Sequence, residues 1–397
     1  MTVANTILTP QQITREALRI LHQKLNFVGS INRQYDDSFA KSGAKIGDSL
    51  KIRLPNEYTV RTGATMVPQD TTETSVTLQV ATQKGVDLSF TAIDLTMNLD
   101  DFSSRIIEPA VSVLAANIEA DALSMALDVA QTVNNIGSTL NLRQALLARK
   151  LLTDALVPTS DRTLLLNTQD NVDMVDNLKG LFQDSATISK QYRDGLVGRT
   201  AGFGDIYENT LLSSQATGTA AATTGYTVNG AGQTGSSIIV QTGTATFKKG
   251  DVITFAGVNR VHPETKLDTG NLMQFVVTAD YAGGAGTVQI SPAIATTGGR
   301  QNVTAAPANA AAVSKIGGAS AIYRPSLAYH KDAFAFATAD LVMPDGVDWK
   351  AREAFDGISM RMIRQYNINN DTFPARIDVL YGYKTLRAQL AARILSN

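Results

Sequence analysis

The first strong pattern along the chain is a run of apolar residues at helical spacing near the amino terminus. Thr9 can cap a helix, Pro10 suits its first position and Gln12 can complete a capping box. A helix is therefore predicted from this point to about Leu25. The apolar positions near one face of it are Ile13, Ala17, Ile20, Leu21 and Leu25. Such a face needs a surface to pack on, so we expect an N-terminal arm that docks.

The period of the pattern changes from helical to two between Lys45 and Thr91. Apolar residues alternate with polar ones at Leu50, Ile52, Leu54, Val76, Leu78 and Val80. This alternation predicts two long strands, and the stretch between them, Pro55 to Glu73, holds few residues large enough for a core. A hairpin of this kind either reaches onto another subunit or folds over its own domain, and its composition favours the first arrangement.

Asp100 and Asp101 introduce the longest helical pattern in the chain. Its apolar residues recur at intervals of three and four, at Ile107, Val111, Leu114, Ile118, Ala122, Met125, Val129 and Val133. The stripe predicts a helix of about seven turns, roughly 45 Å long. We expect such a helix to act as a spine across a domain.

The regions that follow predict a mixed α/β core. Leu140 to Leu156 fits a helix ended by Pro158, and Arg162 to Asn167 fits a short apolar strand followed by a polar helix. The carboxylates of that polar helix have a spacing typical of solvated side chains, at Asp170, Asp173 and Asp176. Further strands are predicted at Ala333 to Leu341, Ile358 to Tyr366 and Arg376 to Leu380.

Between Ser214 and Ala319 the composition shifts toward Gly, Thr, Ala and Ser, and 16 of the 30 glycines lie there. Short strands separated by glycine turns predict a small β-barrel, inserted because the α/β pattern resumes after it. These strands are Ser237 to Gln241, Asp251 to Phe255, Leu272 to Thr278 and Thr287 to Ile290. The flanks Ala216 to Gly235 and Ala295 to Ala312 have the composition of flexible connections.

Length and charge narrow the class of protein. The 397 residues suffice for two or more domains, and 44% hydrophobic with 18% charged residues excludes a disordered tail protein. Lys and Arg total 35 against 36 Asp and Glu, so tight binding of a polyanion is not expected. There is no cysteine, and no uninterrupted apolar run has the length of a membrane span, so a cytoplasmic protein is the simplest interpretation.

Candidate catalytic groups are sparse. The three histidines, His22, His262 and His330, lie far apart in different contexts. The segment from Gly230 to Gly235 matches a dinucleotide-binding pattern, but a strand follows it where a helix is required. No catalytic, cofactor-binding or metal-binding residue is therefore predicted. The sequence indicates a structural subunit that assembles with copies of itself, with a soluble α/β enzyme or binding protein as the alternative.

Three basic residues on the predicted hairpin are candidates for contacts between subunits: Lys51, Arg53 and Arg61. They could pair with acids on a neighbouring subunit, where complementary charge sets register more than affinity. They could equally be edge-strand charges that discourage aggregation.

Several segments in order along the chain resemble the P22-type major coat proteins of tailed bacteriophages. At the amino-terminal side they are Ala4 to Pro10, Gly47 to Arg53, Arg61 to Ala64 with Gln69-Asp70, Lys84 to Asp87 and Leu99 to Ser103. Later ones are Gly250 to Thr254, Ala256 to Val258, Gly270 to Val277 and Arg376 to Gly382. These segments span nearly the whole chain, and it is their order and spacing that carries the resemblance.

The resemblance implies an α+β fold of the Hong Kong 97 type with an inserted β-barrel. Residues 1–40 would be the N-terminal arm and 41–90 the extended loop, while 91–213 with 320–397 would form the peripheral domain, with its long spine helix, and the axial domain. Residues 214–319 would be the inserted domain. Its relatives' salt bridges between subunits suggest four further contact residues, Arg260, Glu264, Lys266 and Asp268.

The function implied is that of a major capsid protein, without enzymatic activity or cofactor. Such proteins build icosahedral shells of hexamers and pentamers around double-stranded DNA, which they enclose without sequence-specific binding. Scaffolding, portal and decoration proteins would be the other partners, assembly would occur in the host bacterial cytoplasm, and no membrane is involved. An encapsulin-like nanocompartment shell of the same fold is the alternative, although the inserted domain counts against it.

Overall fold

A computed structural model describes residues 10–34, 47–70, 73–90, 103–178, 201–355, 358–368 and 372–396. The chain divides into two compact units. The first unit combines residues 1–52, 75–123 and 334–386, and the second combines 53–74, 124–333 and 387–397. Because the segments alternate, both units are completed only by the carboxyl-terminal part of the chain.

The first unit is built on one antiparallel sheet. Its central strand, β21 (Phe373–Thr385), pairs along one edge with the long strand β3 (Thr82–Phe90). Along its other edge it pairs with two shorter strands, β18 (Phe334–Ala339) and β20 (Ile358–Arg364). β20 also pairs with β19 (Trp349–Phe355), which is an edge strand of the sheet. The three strands predicted at the carboxyl-terminal side are thereby confirmed.

Helix α1 (Pro10–Lys24) covers one part of this unit. All the residues of the predicted apolar face are buried. They pack on β19, on β20 and on the long helix α3 (Glu108–Leu123), so the surface that the face needs is supplied by the chain itself. Thr9, the predicted cap, lies outside the described residues.

The long helical pattern folds in three parts. A π-helical turn (Ser103–Ile107) precedes α3, and a 3-10 turn (Ser124–Asp128) follows it. All eight residues of the predicted stripe are buried. The predicted length was wrong, however, because the last two lie beyond the helical segment and Val133 belongs to strand β4 (Thr132–Asn134). Asp100 and Asp101 lie outside the described residues.

The same helical stretch is apolar enough to resemble a membrane span. From Arg105 to Asp128 its most apolar window has a mean hydropathy of 1.4, and 56% of that window is buried inside the fold. A core helix of a soluble protein gives the same signal.

The buried Glu119 carboxylate of this helix accepts the backbone N–H groups of Phe27 at 2.5 Å and Val28 at 3.2 Å, which caps the short helix α2 (Phe27–Ser30).

A two-stranded ribbon packs on the sheet of the first unit. Strands β1 (Asp48–Arg53) and β2 (Ser75–Val80) form it, which confirms the alternating pattern, although both strands are shorter than expected. Its apolar face joins one cluster with the sheet, made of Ile52, Leu78, Val80, Ala335, Ala337, Ala339, Leu341, Leu380 and Leu386. Gly382 of β21 permits this contact, because a Cβ there would lie 2.1 Å from the carbonyl oxygen of Gln79.

The second unit contains a five-stranded mixed sheet. Its spatial order is β4, β22 (Ala391–Leu395), β17 (Ser326–His330), β5 (Arg162–Leu166) and β6 (Asp205–Glu208). Strands β22, β17 and β5 are buried along their whole length. Helices α4 (Leu142–Asp154) and α5 (Thr168–Leu178) pack on it, as the α/β pattern predicted.

One carboxylate of α5 departs from the expected solvated state. Asp170 is buried, and its carboxylate accepts hydrogen bonds from Ser326 Oγ at 2.5 Å and Asn167 Nδ2 at 2.9 Å. Burial raises the pKa of Asp170, while these hydrogen bonds act in the opposite direction. The expectation was wrong here because the first turn of α5 turns this residue toward the sheet rather than toward solvent.

The inserted segment forms a closed six-stranded barrel, which confirms that part of the predicted fold. Around the barrel the order is β10 (Val252–Phe255), β13 (Phe275–Val277), β14 (Gly286–Ile294), β9 (Gly235–Gln241), β8 (Thr223–Val228) and β15 (Ala312–Ile316). The prediction that the two flanks of this segment are flexible connections was wrong. Tyr226 and Val228 of the first flank and Val303 of the second are buried in the barrel core, because single large residues among Gly and Thr suffice to face inward.

We predict that Gly382→Ala destabilises the first unit. The added methyl group cannot fit beside the Gln79 carbonyl oxygen, so the ribbon must shift, at a cost of about 1–3 kcal/mol. Urea unfolding of the purified subunit measures this. Gly29→Ala is the matched control, since nothing lies within 4 Å of a Cβ at that position. Equal midpoints for the two variants would contradict the packing.

Candidate assembly surfaces

Residues 54–70 and 73–74, between β1 and β2, are mostly exposed; we call them the long loop. Every residue from 61 to 70 is exposed. Four large apolar side chains lie open to solvent, with exposed fractions of 56% for Tyr58, 95% for Val60, 75% for Met66 and 61% for Val67. These four residues lie within ten positions of the sequence and are left exposed by this chain; we call them the apolar patch.

The long loop is organised by side chains rather than by a strand ladder. The Gln69 amide pairs with the backbone of Thr59, since its Oε1 accepts the Thr59 N–H at 2.8 Å and its Nε2 donates to the Thr59 carbonyl at 2.6 Å. At the base, the Leu54 N–H donates to the Thr74 carbonyl at 2.8 Å. The two limbs are thus held side by side without burying their apolar side chains.

The three basic residues singled out on the hairpin lie on or beside this loop. Lys51 is exposed on β1. Arg53 forms an ion pair with Glu73 at 3.2 Å, and Arg61 donates to the carbonyl of Gly63. The Arg53–Glu73 pair is exposed on both sides, so it contributes little to stability.

The four candidates of the inserted domain lie on or between two short paired strands, β11 (Asn259–Val261) and β12 (Asp268–Leu272). Glu264 is exposed. Burial lowers the pKa of Arg260, while the charge of the Asp154 carboxylate acts in the opposite direction. β12 is exposed along its whole length, and Leu267 before it is 69% exposed.

Two of these candidates are held by their own chain. Lys266 Nζ donates to the carbonyls of Gly299 at 2.5 Å and Gln301 at 3.3 Å. Asp268 accepts the Gly270 N–H at 2.8 Å and Asn259 Nδ2 at 3.0 Å, and these two hydrogen bonds lower its pKa. Lys266 Nζ also donates to the Pro263 carbonyl, so its three N–H groups all have acceptors within the chain, whereas the Asp268 carboxylate can still accept hydrogen bonds from a neighbour.

Sequence reasoning missed the junction where the barrel meets the mixed sheet. Strand β4 is an edge strand, and Thr132 points its N–H and carbonyl away from β22. The Gln274 amide satisfies both, accepting the Thr132 N–H at 2.7 Å and donating to its carbonyl at 3.0 Å. This contact also interrupts the strand predicted from Leu272 to Thr278, because Gln274 leaves the barrel wall to reach the sheet.

A buried guanidinium lies at the same junction. Arg393 of β22 has no exposed surface and donates to Gln215 Oε1 at 2.9 Å and to the Gly250 carbonyl at 3.0 Å. Burial lowers its pKa to about 10, although the carboxylates of Asp251 and Asp128 favour the charged form. The sequence gives one indication of this buried arginine, which is its position alone among the apolar residues from Ala391 to Leu395.

The titratable side chains singled out in the sequence lie apart in the described part of the chain. No group of three His, Asp or Glu side chains there is placed to hold a metal ion. His262 Nδ1 accepts backbone N–H groups of Glu264 at 3.3 Å and Thr265 at 3.2 Å, and His330 Nδ1 accepts that of Asp332 at 3.2 Å. The His22 side chain lies outside the described residues. Gly230 to Gly235 connect two barrel strands.

A comparison of the sequence with protein families decides the class. The model of the P22 coat protein, gene protein 5, matches residues 30–393. The chain belongs to the P22 coat protein family. It is a major capsid protein of the tailed-bacteriophage type, with a mixed α+β fold, a structural role and a place in the virion capsid. The enzyme and nanocompartment alternatives are set aside.

Solved structures similar to this coat protein include phage chains. A chain of Mycobacterium phage Che8 is 14% identical, covers 94% of this chain and 91% of that one, and has a TM-score of 0.48. A chain of the mature capsid of bacteriophage PhiM1 is 9% identical, with 88% and 82% covered and a TM-score of 0.44. The I-domain of the CUS-3 coat protein is 30% identical over 23% of this chain and 94% of its own, with a TM-score of 0.19. No curated protein matches, and family membership rests on the family match alone.

We predict that Arg393→Met weakens the junction between barrel and sheet. The substitution leaves the buried Gln215 Oε1 without its donor and removes one of the two donors of the Gly250 carbonyl, which keeps Gln215 Nε2, at a cost of about 1–3 kcal/mol. Urea unfolding gives the total, and amide exchange at Gln131 to Asn134 reports the junction itself. The exposed Arg324→Met is the control, and an unchanged stability of Arg393→Met would contradict this role.

Proposed function

We propose that this coat protein forms the hexamers and pentamers of an icosahedral head that encloses double-stranded DNA. Scaffolding, portal and decoration proteins are the proposed partners, and the host bacterial cytoplasm is the proposed place of assembly. Residues 1–40 would serve as the arm, 41–90 as the extended loop, 91–213 with 320–397 as the peripheral and axial domains, and 214–319 as the inserted domain.

The single observation that carries the assembly mechanism is the uncovered apolar patch of the long loop. Burying a Val or Met side chain is worth about 1.5–3 kcal/mol, whereas an exposed ion pair is worth about 0–1 kcal/mol. Docking of Tyr58, Val60, Met66 and Val67 on a sister subunit would therefore supply most of the affinity of that contact. Closed symmetry repeats it around the shell, so modest contacts suffice.

The charged candidates would set register rather than affinity. The candidates that can meet opposite charges on neighbours are Lys51 and Arg61 on the loop side and Arg260, Glu264 and Asp268 on the hairpin. Lys266 would act indirectly, because its three N–H groups donate to carbonyls of its own chain. Arg53 is already paired with Glu73. The balance of 35 basic against 36 acidic residues suits a container, since a strongly basic chain would bind the enclosed DNA by counterion release.

We predict that Val60→Asp and Met66→Asp prevent or strongly slow particle formation. Each replaces an exposed apolar side chain by a charge that cannot be buried unpaired in an interface. Light scattering and electron microscopy of the purified subunit with its scaffolding protein measure the loss, and circular dichroism shows that the subunit still folds.

Val172→Asp is the matched control, because Val172 is 62% exposed but lies on α5, outside the long loop. Normal particles from both loop variants would overturn the proposed role of the patch. Failure of the control alone would move the contact from the loop to α5.

A further inference from the structure

The barrel carries a corner that contacts both limbs of the long loop in the same chain. We call residues 298–301 the barrel corner. Gly299 approaches the Glu57–Tyr58 peptide so closely that a Cβ would lie 2.1 Å from its oxygen and 3.0 Å from its nitrogen. On the other limb, Arg300 Nη2 donates to Thr74 Oγ1 at 2.6 Å. One short segment of the barrel therefore touches each limb of the loop.

The barrel corner is shaped by the β11–β12 hairpin through Lys266. The Lys266 Nζ donates to the carbonyls of Pro263, of Gly299 at 2.5 Å and of Gln301 at 3.3 Å. The Gln301 N–H also closes a turn on the Gly298 carbonyl at 3.1 Å. One ammonium group thus joins the hairpin to the corner. Because its three N–H groups are used within the chain, its effect on assembly must pass through the corner.

The contacts with the corner lie beside the hydrogen bonds that join the two limbs of the long loop. Thr59 follows the peptide that the corner touches, and its backbone pairs with the Gln69 amide of the opposite limb at 2.8 and 2.6 Å. At the base of the loop, the Leu54 N–H donates to the carbonyl of Thr74, whose hydroxyl accepts a hydrogen bond from the corner. Both of these connections between the limbs are therefore next to a contact with the corner.

The corner leaves the apolar patch open. Tyr58, Val60, Met66 and Val67 are all exposed in the structure in which the corner touches the loop. The contact therefore restricts the backbone of the loop without covering the side chains that are proposed to dock. A segment whose conformation is already restricted loses less conformational entropy when it binds, so a contact of this kind favours docking.

We infer that the barrel corner is a support that holds the long loop in the conformation in which its apolar patch docks on a second copy of this chain. Lys266, Gly299 and Arg300 are the positioning residues of this support. The inference rests on the proposed function, since it requires that the loop docks on a sister subunit. It gives the inserted barrel a role in a contact that another part of the chain makes.

The first test is Gly299→Ala in the full-length chain. Gly299 does not have a positive φ, so alanine adds a methyl group without backbone strain, and that methyl displaces the Glu57 peptide from the corner. Hydrogen exchange of the Leu54 and Thr59 amides in the free subunit should become roughly tenfold faster, because both donate to hydrogen bonds between the limbs. Particle formation, followed by light scattering, should slow. Gly29→Ala, in open space, should change neither.

The second test is Lys266→Met, which keeps a long unbranched side chain and removes the three donors. It should accelerate the same amide exchange and slow particle formation. Lys248→Met is the matched control, since Lys248 forms an exposed ion pair with Asp280 elsewhere in the inserted domain, at 2.7 Å. Exchange in strand β10 of the barrel core is the reference and should stay unchanged. An equal rise in β10 would mean that Lys266 only stabilises the barrel, which overturns its positioning role.

Unchanged exchange of Leu54 and Thr59 in both variants would show that the corner does not hold the loop. Faster exchange with unchanged or faster particle formation would show that assembly does not use this support, which also overturns the inference. Failure of the proposed function reads out separately. Val60→Asp would then form normal particles, whereas the exchange of the free subunit is measured without assembly.

Discussion

Buried polar groups need hydrogen-bond partners, because an unsatisfied one costs the free energy of its lost hydration. The constraint is most severe where the barrel joins the mixed sheet. There, the Gln274 amide makes with the Thr132 backbone the two hydrogen bonds that a neighbouring strand would make, and the Arg393 guanidinium donates to the Gly250 carbonyl. These contacts give partners to most of the buried groups at the junction, although Arg393 Nε has none among the described residues.

The parts of the subunit differ in where they place their apolar residues. The barrel core, the mixed sheet and the ribbon bury their apolar residues within the chain. The long loop leaves its large apolar residues exposed, and its shape is held by side-chain hydrogen bonds such as those of the Gln69 amide to the Thr59 backbone. A preformed loop with an uncovered patch loses less conformational freedom when it docks than a disordered one would.

Much of the architecture could be predicted from the sequence, because along most elements the apolar positions that set the period are the positions that are buried. Helix α1, the ribbon, α4, β5 and the barrel strands follow from local spacing. Errors arose where two elements share one pattern. The stripe ending at Val133 continues through a helix end into β4, and Asp170 has the spacing of a solvated residue although the sheet covers it. The flanks of the barrel have the composition of linkers, yet Tyr226 and Val303 bring them into its core.

By itself, the sequence determined the family, the α+β class, the presence of an inserted β-rich segment and the exposed hairpin, since these depend on local periodicity, composition and the order of short segments. Only the tertiary structure decided which polar groups meet. Gln274 lies 142 residues from Thr132, and Arg393 lies 178 from Gln215, so no spacing rule could relate them. Such pairs are selected by the need to satisfy buried donors and acceptors after the chain has folded back on itself, which a linear pattern does not record.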